Sequence, residues 1–113
     1  MTRDHRLYLE DMLEAINKIQ RYTVNLTFDE FTLNEMAIDA VVRNFEIIGE
    51  AAGRISSNIQ LLYPEIPWYE MKGMRNIVAH EYFRVDLQII WKTVQDSLPE
   101  LGRLIQSVLA KQQ

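Results

Sequence analysis

The chain contains no cysteine, which excludes a disulfide framework, a thiolate metal site and a thiol nucleophile together. Prolines number three and glycines four in 113 residues, so there are few points at which a helix is forced to stop. No apolar run approaches the roughly 20 residues that a membrane-spanning helix requires. The opening Met1-Thr2-Arg3-Asp4-His5 runs straight into a charged amphipathic stretch rather than a leader. A soluble, unexported protein of a reducing cytoplasm is the expectation. Low-complexity tracts, internal repeats and strand-like alternation of apolar and polar residues are all missing too.

An excess of positive charge is also lacking. The formal net charge is -4, and such a field repels phosphates at long range, which argues against general coating of nucleic acid. Contact with RNA must therefore be local. Lys72, Arg75 and Arg84 lie close in sequence around His80 and can form a basic patch, more so if two copies meet there.

What is present is an ordinary globular composition, 48% hydrophobic and 25% charged, consistent with one domain over residues 1–113 built around one core. So small a core leaves a narrow stability margin, and burying further apolar surface against a second copy would widen it. Leu9, Met12, Leu13, Ile16 and Ile19 recur at spacings of three and four, which predicts a first helix from about Arg3 to Arg21. The period is lost from Tyr22 to Phe28. Asn34 then offers a side-chain cap to a second helix over Glu35 to Ile55, whose stripe is Ala37, Val41, Phe45, Ile48, Ala52 and Ile55. Gly49 and Gly53 within it each cost roughly 1 kcal/mol relative to alanine, and close approach of another helix at both would compensate.

Tyr63-Pro64-Glu65-Ile66-Pro67 reads as a loop. A short third helix is predicted from near Trp68 to about Ala79 or His80. Asp86 can cap a fourth, with Leu87, Trp91, Val94, Leu98, Leu101, Ile105 and Val108 in strict four-three spacing and a break near Ser97 imposed by Pro99. Trp68, Trp91 and Phe45 read as core. The architecture expected is an all-α antiparallel bundle of four or five helices, self-associating as a homodimer.

Chemistry concentrates in Met74-Arg75-Asn76-Ile77-Val78-Ala79-His80-Glu81-Tyr82. On a helix, Met74, Ile77 and Val78 point one way; Lys72, Asn76 and Ala79 point the other, flanked by Arg75 and His80. Cleaving a phosphodiester without metal requires a group that moves protons and a fixed positive charge for the developing phosphorane. Histidine and arginine supply these, since imidazole titrates near neutral pH and guanidinium can clamp two phosphate oxygens. RNA brings its own nucleophile, the 2′-hydroxyl. Asn76, four residues before His80, can orient the imidazole or hold a phosphate oxygen. Five residues nevertheless place Arg75 and His80 roughly 140° apart around a helix. Either the helix ends before His80 or a second subunit completes the site.

By itself an arginine five residues before a histidine is a weak signal, equally consistent with a surface or capping role. Glu46 and Glu50 share a helix face at i and i+4; they more readily form a solvated face than a metal site, and either can support Arg75 from the neighbouring helix. His5 reads as solvated surface. Neither a metal nor a cofactor is called for by the pattern.

The segment Arg75 to Tyr82 resembles the Arg-Asn-x-x-x-His-x-Tyr signature of HepT-like proteins of the HEPN superfamily. Further resemblance lies in Arg3-Asp4, Leu7, Leu9-Glu10-Asp11 and Ala15-Ile16, in Phe45 through Ala52, in Ile66-Pro67-Trp68, and in Val85-Asp86 through Trp91, Leu98-Pro99 and Leu101. The resemblance implies a homodimeric, metal-independent endoribonuclease toxin, with tRNA among its targets, in which the motifs of two chains, with Arg75, Asn76 and His80, meet in a shared cleft; Lys72 and Arg84 are candidate RNA contacts from the basic patch they form in sequence. It also implies a partner antitoxin, a minimal nucleotidyltransferase of the MntA type, that transfers AMP to Tyr82. An alternative from another class is a helical dimer that only docks a nucleotidyltransferase or a nucleotide and does no chemistry.

Overall fold

A computed structural model describes residues 4–81 and 87–111, and the side chains of these except 76–81. The described residues are helical: α1 His5–Thr23, α2 Phe28–Thr32, α3 Glu35–Arg54, α4 Ser57–Leu62, α5 Trp68–Glu81, α6 Leu87–Lys92, a π turn Thr93–Ser97, and α7 Leu98–Lys111. The last three run on continuously. The all-α bundle expected from the apolar periodicity is therefore what forms.

Helix α1 begins where Asp4 accepts a hydrogen bond from the Arg6 backbone N–H at 3.0 Å, satisfying a donor that the first turn leaves unpaired. Leu9, Met12, Ala15, Ile16 and Ile19 go into the core from it. Helix α3 starts at the predicted cap, with Asn34 accepting from the Ala37 N–H at 3.0 Å. Its stripe of Ala37, Val41, Phe45, Ile48 and Ala52 is buried as the spacing requires, and Ile55 is buried just past its end. Helix α3 is the central element: it packs against α1 on one side and α5 on the other, while α1 also meets α7.

Two short helices occupy stretches where no apolar period is visible. Helix α2 is set by a capping box, in which Thr27 accepts from the Glu30 N–H and Glu30 accepts from the Thr27 N–H. It delivers the fully buried Phe31 to the core, where its ring lies 5.1 Å from that of Trp91. Helix α4 buries none of its residues. The loop over residues 63–67 follows, and there the Trp68 indole N–H donates to the carbonyls of Gln60 and Tyr63.

Asp86, the expected cap of the last helix, lies outside the described residues. The break expected near Ser97 takes the form of the π turn. Pro99 has no N–H to give the Gln95 carbonyl and its ring crowds that oxygen, so the chain widens by one residue and the Leu98 N–H bonds back to Thr93. Val94, Leu98, Leu101, Ile105 and Val108 are buried, and upstream Ile90 is fully buried while Leu87 and Trp91 are partly so. Ile90 and Trp91 stand four and three residues before Val94, so both fall within one wide apolar stripe. Among the described residues no helix is long and apolar enough to cross a membrane.

Candidate functional site

Helix α5 carries the segment singled out by its chemistry. Pro67 precedes it and accepts the first helical hydrogen bond, from the Met71 N–H at 3.0 Å, a position at which proline's lost donor costs nothing. Glu70 lies in the first turn, where a carboxylate complements the positive end of the helix dipole. Trp68, Met71 and Met74 are buried and fasten the helix to the bundle. Lys72 and Arg75 on the same helix are both exposed.

Where α5 crosses α3 the backbones come into direct contact. A Cβ built on Gly49 would stand 2.7 Å from the Arg75 Cβ and 2.8 Å from the Arg75 backbone nitrogen, closer than such atoms ever lie. Hydrogen is all that this approach leaves room for. The close packing expected at glycine thus occurs at Gly49, and the residue it admits is Arg75. At Gly53 the expectation is corrected: nothing lies within 4 Å of a Cβ built there. One turn beyond Gly49 on α3, Gly53 is exposed.

The helix continues through His80 to Glu81. One of the two options left open by the spacing is thereby closed, since α5 does not end before His80. Along an unbroken helix the two residues are displaced by roughly 7.5 Å in rise and 140° in rotation. Asn76 and His80 belong to this helix, but their side chains lie outside the description, as do Tyr82 and Arg84 altogether. Glu46 and Glu50 are exposed on α3. Glu50 pairs with Arg54 at 3.6 Å, and among the described residues no ion pair joins either carboxylate to Arg75. Their support of Arg75 within a single chain is therefore not part of this structure. Among the described residues no group of three or more His, Asp or Glu side chains gathers as a metal ion would need.

A groove of about 630 Å³ opens on another flank of α5, between Met71 and Met74 on one side and Thr93, Ser97 and Leu101 of the π turn and α7 on the other. Among the described residues that line it there is no basic side chain to receive a phosphate. The polar chemistry of α5 thus stays with the Lys72 and Arg75 register.

Fold and site define a small all-α bundle that presents Lys72 and Arg75 on a histidine-bearing helix pinned by its backbone to the central helix. The chain belongs to the ribonuclease HepT-like family, whose model matches residues 12–108. It is 45% identical over 101 residues to a Thermococcus cleftensis protein named "Probable ribonuclease HepT", covering 89% of this chain and 92% of the other. It is 38% identical over 106 residues to a candidate RNase of Methanocaldococcus jannaschii, with 94% and 97% covered. A second candidate RNase of that organism is 37% identical over 107 residues, with 95% and 88% covered. No solved structure matches the chain significantly.

Proposed function

We propose that this protein is a metal-independent endoribonuclease, the toxin of a toxin–antitoxin pair, whose active cleft is completed by a second copy of the chain. The observation that carries the reading is the Arg75-Asn76-x-x-x-His80-x-Tyr82 motif, whose first part lies on α5 with Arg75 open to solvent, in a member of the ribonuclease HepT-like family. Because α5 is unbroken from Trp68 to Glu81, Arg75 and His80 of one chain diverge, and convergence requires the partner's motif.

In the proposed reaction a His80 imidazole takes the proton of a ribose 2′-hydroxyl, and the freed oxygen attacks the adjacent phosphorus. The bond from phosphorus to the 5′-oxygen breaks, and that oxygen leaves with a proton from an imidazolium. The products are a 2′,3′-cyclic phosphate and a 5′-hydroxyl, with no water consumed and no metal needed. Arg75 holds the phosphate oxygens whose charge grows in the phosphorane. Asn76 orients the imidazole or a phosphate oxygen, while Lys72 and Arg84 draw in the flanking phosphates.

Tyr82 is the regulatory residue of this reading. Transfer of AMP to its hydroxyl by a minimal nucleotidyltransferase of the MntA type, with release of pyrophosphate from ATP, places an anionic nucleotide beside Arg75 and His80. That anion competes with RNA for the same cations.

Purified, unmodified protein incubated with tRNA and with bulk RNA in EDTA tests the activity. Cleavage by the parent, reduced roughly a hundredfold or more in His80→Ala, is the expected result. Equal cleavage by both proteins removes His80 from the chemistry. With no cleavage by the parent and an intact mass showing no AMP, the chain is instead a helical docking partner for a nucleotidyltransferase.

A further inference from the structure

We infer that Gly49 is the positioning residue for Arg75: the absence of a side chain on α3 at this point sets where the arginine leaves the bundle. The inference rests on the reading of Arg75 as a phosphate-binding group given above, and adds to it a residue outside the motif. Three distances carry it. A Cβ on Gly49 would meet the Cβ of Arg75 at 2.7 Å, its backbone nitrogen at 2.8 Å and its Cα at 3.2 Å. None of these atoms is the swinging end of a side chain. All belong to the backbone or to the first carbon fixed to it, so a methyl group can be admitted only by moving α5 as a body or by bending it at Arg75.

The consequence is specific because of where the contact falls. The three atoms nearest to a Cβ on Gly49 all belong to Arg75, a residue that is exposed. The root of the side chain is clamped although the residue as a whole is exposed. Moving the root carries the charge with it, and in a reaction that depends on a fixed cation over a phosphorane, about 1 Å of misplacement can cost about a hundredfold in rate. Ordinary packing has no such preference for the residue bearing the charge. Gly53, one turn along the same helix and with open space around it, provides a control of identical chemistry.

The experiment is a double-mutant cycle on RNA cleavage, with Gly49→Ala measured in the parent and in Arg75→Ala, and Gly53→Ala alongside. In the parent, Gly49→Ala should lower kcat about ten- to a hundredfold with KM little changed. In the Arg75→Ala background, it should change the residual rate less than about twofold, because the group it misplaces is gone. Gly53→Ala should leave kcat as it is. An equal loss in both backgrounds would make Gly49 merely structural and overturn the proposal, as would full activity of Gly49→Ala.

If Gly49→Ala alone does not fold, the cycle is run in the Gly53→Ala background, where added helix propensity offsets part of the strain. A chain that stays unfolded there overturns the positioning role in favour of a requirement for folding. If the parent cuts no RNA, the proposed function fails separately, and the geometric claim is decided by backbone amide resonances. Gly49→Ala must then shift those of Arg75 and its neighbours while Gly53→Ala does not, and unmoved Arg75 resonances overturn it.

Discussion

At Arg75 the bundle holds the backbone and leaves the side chain in water, a division that suits a residue meant to meet a polyanion. Lys72, three residues earlier, is also exposed. Its ammonium is a mobile point charge that can follow a phosphate without fixing its geometry. The two cations are therefore expected to separate in kinetics. Lys72→Ala should raise KM for RNA several-fold and flatten the dependence of log KM on log salt by about one phosphate's worth, with kcat nearly unchanged. A fall in kcat at constant KM would place Lys72 in the chemistry rather than in attraction. The sequence reading brought Gly49 forward as a place of close approach, because an unexplained glycine costs helix stability. It had no means of naming Arg75 as the partner, since that pairing depends on how α3 and α5 cross.

Among the elements, legibility followed the size of the apolar stripe. Helices α1, α3 and α7 were readable because each repeats buried residues at three and four over several turns, as Leu9, Met12, Ile16 and Ile19 do in α1, whereas the start of α5 was marked by the prolines of the loop before it. Helix α4 was not readable, because it buries nothing and so leaves no period to find. Helix α2 left a different kind of trace, the Thr27 and Glu30 pair of a capping box, which went unread beside a five-residue helix with one buried side chain. Pro99 signalled a disturbance, but whether a helix answers a proline by breaking or by widening depends on the packing on either side. Here Val94, Leu98 and Leu101 all remain buried, and a single π turn keeps them on one seam. Removing the capping hydroxyl with Thr27→Ala should lower unfolding stability by about 1 kcal/mol, read by urea titration. No change would mean that burial of Phe31, rather than the cap, holds α2 in place.

For the molecule as a whole, two features pull in one direction. The chain is small, so its core alone gives little margin, and its candidate catalytic pair is spread around an unbroken helix. A two-fold dimer relieves both conditions, because an isologous interface brings the same segment of each chain together and lets the arginine of one serve the histidine of the other. The negative net charge fits as well. RNA would be held by a few cations gathered at one cleft rather than by a basic surface, leaving a single location where a nucleotide on Tyr82 can act as a stopper.

The most direct test of that account is complementation between two impaired variants. Arg75→Ala and His80→Ala, each left with only a small residual rate, are mixed under conditions that let subunits exchange, and RNA cleavage in EDTA is followed. A composite site predicts recovery well above either variant alone, since half of the dimers are mixed and each brings an intact Arg75 from one chain and an intact His80 from the other to the shared cleft. Mixtures that exchange subunits yet stay as inactive as their components would contradict the account and put Arg75 and His80 to work, if at all, within one chain.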